Sequence, residues 1–161
     1  MPDEERVKVL LRGKEPDEVE VIWATPLGSD LYRLENSPFY AYGVSWQDVI
    51  EAQPTDGTLE FRRVVEKSGH RTVRVILDLT SKSEPGKHVL DQIVDMGCTW
   101  EGMNTKLICI DLPASGSLDK TAKVLTAQQD VIWEYADPTY EEVTGEPPDL
   151  DDGEAEDSRA D

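Results

Sequence analysis

The residue best suited to acid–base chemistry in this 161-residue chain is His70, in the segment SGH at 68–70. A histidine titrates near neutral pH and can act as a general base. It would need a nucleophile such as Ser45 or Cys98 and an orienting acid such as Asp48. No motif links these residues, and a histidine after a small-residue turn also serves as a structural clamp. We therefore predict a structural or binding role for His70, and no enzymatic activity.

A second candidate site is the aromatic segment SPFYAYGVSWQDVI at 37–50. Tyrosine and tryptophan combine a wide apolar face with a polar tip, which suits protein-binding surfaces. Alternate residues of an extended strand face opposite sides, so Phe39 is predicted to enter the core while its neighbours face outward. The predicted binding residues are Tyr40, Tyr42, Trp46 and His70.

The sequence predicts no cofactor and no metal site. It contains neither of the glycine-rich phosphate motifs, GxGxxG and GxxxxGK[ST]. Cys98 and Cys109 lie in apolar runs, typical of buried free thiols, and only His70 and His88 are present to complete a zinc site. Two acidic pairs have no spacing that suggests catalysis and are predicted to be solvent-exposed: Asp48 with Glu51, and Glu134 with Asp137.

The net charge of −18 limits the classes of partner. Coulomb repulsion opposes binding to nucleic acid and to an anionic membrane surface. The net negative charge is consistent with a role in solubility and with attraction to a basic protein partner, and both interpretations stay open. No apolar run is long enough to span a membrane, and the segment MPDEERVKVLL has no secretory signal, so we predict a cytoplasmic protein. The oligomeric state stays open.

Strand patterns dominate the first part of the chain. Apolar residues alternate at 7–11 and 19–23, the segment LYRLEN follows a turn, and Asp56-Gly57 is a strong hairpin signal. Short strands at spacings of about ten residues predict a small antiparallel β-barrel over residues 1–68.

The second part alternates strands with helices. RTVRVILDL and VIWEYADP fit strands, SEPGKHVLDQIVDMG fits a helix that Ser83 can cap, and Ser117 can cap a second helix. We predict an α+β fold in which the barrel packs against a ferredoxin-like βαββαβ sandwich at 69–138. From 143 to 161 the chain has eight acidic residues and one base, Arg159, so 139–161 is predicted as a disordered acidic tail.

Three stretches carry a family resemblance: VIWATPLGSDLYRLENSPFYAYGVSWQDVIEA at 21–52, VVEKSGHRTVRVI at 64–76 and WEYADP at 133–138. Together they resemble the bacterial domain of unknown function family 4265. Gln47 departs from the family pattern, in which a glycine usually precedes Asp48. The resemblance implies family membership and brings no activity or catalytic residue with it.

These observations favour a non-enzymatic protein-binding module, of the immunity or regulatory-inhibitor type, that binds a basic protein. The alternative is a small-molecule-binding or sensor module with a pocket between the two subdomains, near His70 and Trp46.

Overall fold

The computed structural model describes residues 5–76, 84–103, 106–128 and 131–146, and these form an α+β fold with two β-sheets and short helices. This agrees with the α+β prediction. The first sheet contains β1 (Val7–Arg12), β2 (Val19–Gly28), β3 (Leu31–Leu34), β4 (Val49–Thr55) and β5 (Thr58–Glu66).

Sequential strands of the first sheet pair antiparallel, and its last strand returns to its first. β1 and β5 meet in a parallel pairing at Leu10 and Glu60. Its apolar interior is formed by Val9, Leu11, Ile22, Ala24, Leu34, Ala41, Val44, Ile50 and Ala52.

Strand β2 turns the face that carries Glu20, Ile22 and Ala24 toward this interior, although Val19, Val21 and Trp23 form its more apolar face. Val19, Val21 and Trp23 are exposed, while Ile22 and Ala24 point inward with the carboxylate-bearing Glu20. The alternation had correctly indicated a half-buried strand. The polar member of the buried face acts on the loop after β3, as described below.

The hairpin predicted at Asp56-Gly57 joins β4 to β5, where Thr55 pairs with Thr58. Asp56 and Gly57 have φ angles of 52° and 81°, the left-handed conformation that a two-residue hairpin turn needs and that glycine adopts readily. The prediction of this turn is confirmed.

The second sheet and its helices contain, in chain order, β6 (Arg71–Ile76), α1 (Glu84–Asp95), β7 (Thr99–Gly102), β8 (Leu107–Leu112), α2 (Leu118–Thr126) and β9 (Ile132–Asp137). The strand order is β7-β8-β6-β9, with all neighbours antiparallel. One helix follows β6 and one follows β8.

Both helices cover one face of this sheet. Val89 and Ile93 of α1 and Leu125 of α2 pack against the buried residues Val73 and Ile110 of the strands. Burying this apolar layer is the main stabilising contribution that a small sandwich can make.

Both predicted helices are present. The Ser117 hydroxyl accepts a hydrogen bond from the Lys120 amide and caps α2 as predicted. Gly97, with φ of 94°, follows the end of α1, while Ser83, the predicted cap of α1, lies outside the described residues.

The predicted subdomain boundary at 68/69 falls in the short connection between β5 and β6. The region predicted as a disordered tail from 139 differs at its start, because α3 (Tyr140–Thr144) forms there. Thr139 and Glu142 complete a reciprocal capping box that satisfies the first amides of this helix. The rest of the predicted tail, 147–161, lies outside the described residues.

Candidate binding cleft beside strand β9

The predicted aromatic segment belongs to an irregular connection, residues 35–48, here called the aromatic loop, and is not an extended strand. The buried carboxylate of Glu20 accepts hydrogen bonds from three consecutive amides of this loop. Its Oε1 lies 2.8 Å from the Phe39 nitrogen, and its Oε2 lies 2.8 Å and 3.1 Å from the Tyr40 and Ala41 nitrogens. These three bonds stabilise the charge inside the fold and set the course of the loop.

Arg74 of β6 binds the aromatic loop from the second sheet. Its side chain is 2% exposed, and its guanidinium donates to the Pro38 carbonyl at 3.2 Å and the Tyr40 carbonyl at 3.4 Å. Its Nε also donates to Glu134 at 3.2 Å. The loop is thus held by a carboxylate from the first sheet and a guanidinium from the second, which joins the two sheets.

Tyr42 is oriented by charged groups on its ring and its hydroxyl. The hydroxyl donates to both carboxylate oxygens of Glu134, at 2.7 Å and 2.8 Å. The Lys14 ammonium and the Arg74 guanidinium lie 4.3 Å and 4.5 Å from the ring centroid, within the range of cation–π attraction. Burial, reinforced by the Glu134 carboxylate, raises the pKa of Tyr42 to about 12.

A cleft of about 680 Å³ opens beside Tyr42. The Trp133 and Tyr135 rings, 4.9 Å apart and edge to face, form one wall. Segments from both sheets and from α3 contribute to its lining: Lys14, Tyr42, Trp133, Glu134, Tyr135, Thr139, Tyr140 and Glu141. Aromatic surface beside carboxylates is suited to binding a group with an apolar stem and a positive charge.

A buried polar cluster, here called the polar bridge, connects the two sheets at a second place. The Ser45 hydroxyl donates to Asp137 at 2.6 Å and lies 2.7 Å from the Thr72 hydroxyl. The Lys67 ammonium binds both Asp48 and Asp137. Asp48 and Ser45 are fully buried, so their polar groups are satisfied inside the polar bridge.

A family model for a domain of unknown function, DUF4265, matches residues 20–135. The chain belongs to the DUF4265 family. The matched segment includes Glu20, the aromatic loop and Arg74, whereas Lys14 and the α3 wall of the cleft lie outside it.

Among solved structures, this chain is similar to the crystal structure of a hypothetical protein from Neisseria gonorrhoeae. The two have a TM-score of 0.69 at 14% sequence identity, over 87% of this chain and 99% of the other. At that identity the likeness concerns the fold alone. Among curated proteins no match is found.

His70 in this DUF4265 protein pairs with an acid other than the one considered from sequence. Its Nδ1 lies 2.9 Å from the Asp111 carboxylate, and its ring meets Trp46 edge to face at 4.7 Å. Its backbone amide donates to the Ser68 hydroxyl, which in turn donates to the Trp46 carbonyl. Burial raises the pKa of Asp111, and the neighbouring His70 opposes that shift.

The structure separates the four predicted binding residues into two places. Tyr42 lines the cleft, and Tyr40 lies next to it in the loop, where its hydroxyl donates to the Met103 sulfur at 3.4 Å. Trp46 and His70 lie together, away from the cleft lining. Phe39, predicted as core, is only half-buried and lies outside both apolar clusters.

The sequence reasoning missed most of the cleft. Trp133 and Tyr135 were assigned to a final strand without a role, and Tyr140 to the tail. Arg74 and Glu20 read as ordinary charged strand residues. The only signal in the sequence is their position, because each is a charged residue between two valines of a strand. A charge in such a position can be buried if it has a partner.

The prediction that the acidic pairs are solvent-exposed is wrong for two residues. Asp48 is fully buried and Asp137 is 6% exposed, because both face the Lys67 ammonium in the polar bridge. Half of the Glu134 side chain is in solvent, in agreement with the prediction, although its oxygens bind Tyr42 and Arg74.

Cys98 and Cys109 are free and buried, as predicted. Burial raises the pKa of Cys109 to about 12. Within the described ranges no cluster of three or more His, Cys, Asp or Glu side chains has the arrangement of a metal site. None of the helices formed by the described residues has the length and hydropathy of a membrane-spanning segment.

Proposed function

We propose that this DUF4265 protein is a non-enzymatic, cytoplasmic protein-binding module whose cleft receives a basic segment of another protein. The observation that carries the proposal is the composition of the cleft, with aromatic walls from three parts of the chain beside the carboxylates of Glu134 and Glu141. Lysine and arginine stems pack on aromatic faces while their charges meet carboxylates. The Lys14 ammonium on the Tyr42 ring is an intramolecular example of this contact.

The net charge of −18 supports the same class of partner, because it accelerates encounter with a basic protein. A role that fits is that of an immunity-type or regulatory inhibitor that covers a basic partner. The free thiols Cys98 and Cys109 suit the reducing cytoplasm.

The non-enzymatic part of the proposal is supported by the surroundings of the candidate catalytic groups. His70 hydrogen-bonds Asp111 and packs on Trp46. The Ser45 hydroxyl is buried and committed to Asp137 and Thr72. A base and a nucleophile that are to react must lie within hydrogen-bond reach of each other, and these two have other partners.

We further infer the finer architecture: a small β-barrel at 1–68, a ferredoxin-like sandwich at 69–138 and an acidic tail within 139–161. The pairing of β1 with β5 supports a barrel. The strand order β7-β8-β6-β9, with helices after β6 and β8, is that of a split βαββαβ unit and supports the sandwich. The cleft then lies where the two subdomains meet.

The test is affinity capture from a lysate of the native host by the full chain, at low and at high salt. Tyr140→Ala alters the cleft, and Trp100→Ala on β7 is the matched control, because the two side chains are 43% and 38% exposed. We expect one specific partner, lost at high salt, bound about tenfold more weakly by Tyr140→Ala and normally by Trp100→Ala. Capture of no partner, or equal capture by both variants, would contradict the proposal.

A second candidate function is binding of a small molecule in the same cleft. Its volume of about 680 Å³ favours this alternative, because ligand sites commonly fall in that size range. Native mass spectrometry of the purified full chain would then detect a bound small molecule, and Tyr140→Ala would lose it.

A further inference from the structure

The cleft lies along the outer edge of β9. Trp133 and Tyr135 pair with Val75 and Val73 of β6, and Glu134 between them pairs with Arg74. Successive side chains of a strand point to opposite faces of the sheet. A cleft that is lined by all three of these β9 residues therefore runs past the edge of the strand, where the two faces meet.

Within the described residues, no strand pairs with the outer edge of β9. Among the described strands β9 is last in the sheet and pairs with β6 alone. Farther along the same strand, the Ala136 carbonyl accepts a hydrogen bond from the Gly43 amide at 2.8 Å. The aromatic loop therefore already pairs its main chain with one end of β9, next to the cleft.

We propose that the basic segment of the partner binds in extended form as an added strand on β9. This rests on the proposed function and states how the cleft is used. The main chain of the bound segment would continue the backbone hydrogen bonding to β9 that begins at Gly43. The side chains of the segment would alternate between the two faces of the sheet. One set meets the aromatic wall of Trp133, Tyr135 and Tyr140, and the other meets the Glu134 carboxylate. The bound sequence is therefore alternately apolar and basic.

Charge complementarity selects this occupant over two others. A second copy of the chain brings another net charge of −18 to the same edge. The chain's own residues 147–161, which follow α3, are predominantly acidic and would place carboxylates against Glu134 and Glu141. Like charges at close range oppose both arrangements.

The first experiment selects binders from a displayed library of random nine-residue peptides, using the full chain at low salt. We expect enriched peptides in which lysine or arginine alternates with apolar residues. A synthetic peptide of the enriched sequence should bind Trp100→Ala as it binds the unaltered chain, and Tyr140→Ala about tenfold more weakly.

The decisive measurement is a scan of that peptide with single backbone N-methyl groups, each of which removes one amide donor. In an added strand every second amide points at β9, so methylation should weaken binding at alternate positions by about tenfold or more and leave the others nearly unchanged. An equal loss of affinity at every position, or no loss at any position, would overturn strand addition. The proposed function would still be supported if basic peptides bound in a way that depends on salt and on Tyr140. Enrichment of no basic peptide would overturn both.

Amide hydrogen exchange of β9 in the full chain tests the other occupants. We expect the outward-facing amides between Ile132 and Tyr135 to exchange rapidly without peptide and to become protected when the peptide binds. Protection of these amides before any peptide is added would assign the edge to the chain's own C-terminal residues or to a second copy, and would overturn the proposal.

Discussion

The Glu20 carboxylate and the Arg74 guanidinium bind the aromatic loop from opposite sides, the first through amides and the second through carbonyls. Both side chains are almost fully buried. A buried charge is tolerated when hydrogen bonds replace its water, and each of these charges obtains them from loop backbone. Glutamate and arginine side chains usually lie in solvent, but Glu20 and Arg74 are buried and hold the aromatic loop in place.

Gln47 adopts a backbone conformation that favours glycine. Its φ is 69°, in the left-handed region, directly before the buried Asp48. A side chain in this left-handed region costs about 1 kcal/mol, which glycine avoids. We therefore expect Gln47→Gly to raise the free energy of unfolding by about 1 kcal/mol in urea denaturation.

The matched control for this change is Gln53→Gly in β4, where the backbone is extended. Glycine in a strand lowers stability by about 0.5–1 kcal/mol, so the two substitutions should act in opposite directions. A loss of stability in both would refute the strain at Gln47.

Tyr42 should lose its proton only at unusually high pH. Its pKa is raised from 10.0 to about 12 by burial and by the Glu134 carboxylate, which accepts a hydrogen bond from the phenol. Because the folded pKa is the higher one, the stability that this phenol contributes is complete below pH 10 and is lost as the pH rises toward 12. Ultraviolet titration should show one late tyrosinate that Tyr42→Phe removes, while Tyr140→Phe leaves it. A late transition that survives in Tyr42→Phe would contradict this assignment.

The clustering of aromatic residues made Tyr42 a candidate binding residue from the sequence, and the structure places it in the lining of the cleft. Sequence reasoning could not identify Lys14 or Glu134 as neighbours, since they approach from distant parts of the chain. It also assigned Asp48 and Asp137 to solvent, because local sequence contains no information about a lysine that reaches both. Composition shows which residues are able to bind, whereas tertiary packing determines which of them meet.

At the scale of secondary-structure elements, helix α3 forms one wall of the cleft. Tyr140 and Glu141 lie on its first turn, and the capping box of Thr139 and Glu142 fixes that turn. Removing an N-cap hydroxyl costs about 1 kcal/mol. We expect Thr139→Ala to speed amide hydrogen exchange within α3 about fivefold, without a comparable change in the sheets.

Ser117→Ala is the control for this prediction, because it removes the corresponding cap from α2. It should speed exchange in α2 and leave α3 unchanged. Unaltered exchange of α3 in Thr139→Ala would mean that the box does not hold the helix.

The elements that were predicted well have short-range signals. The Asp56-Gly57 turn, the Ser117 cap and the apolar spacing of α1 and α2 are set by neighbours in sequence. The aromatic loop was predicted as a strand because its residues alternate, but the amides that a ladder would use bind Glu20 instead. Helix α3 was hidden by the acidic composition of the residues that follow it.

At the scale of the whole molecule, the polar bridge joins the two sheets through one lysine. Lys67→Met keeps the length of the side chain and removes the charge between Asp48 and Asp137. Hydrogen bonds to charged groups contribute about 1.5–3 kcal/mol, so we expect a loss of about 2 kcal/mol in the free energy of unfolding. Urea denaturation followed by tryptophan fluorescence measures it.

Lys123→Met is the control, because the ammonium of Lys123 pairs with Asp119 on α2 at 3.2 Å and both side chains are more than three-quarters exposed. An exposed pair of this kind contributes about 0.5 kcal/mol or less. Equal losses in the two variants would argue against a bridge between the sheets.

The position of Cys109 makes the junction of the sheets open to chemical observation. Its sulfur lies 3.3 Å from the Pro38 carbonyl of the aromatic loop, while Cys98 lies in the apolar layer under the helices. A buried, protonated thiol reacts with an alkylating reagent only after the surrounding structure opens. The labelling rate of Cys109 therefore reports how often the aromatic loop separates from the second sheet. The labelling rate of Cys98 reports how often the helices separate from that sheet. The chain carries its own pair of reporters for two separate motions, with no dye or added residue required.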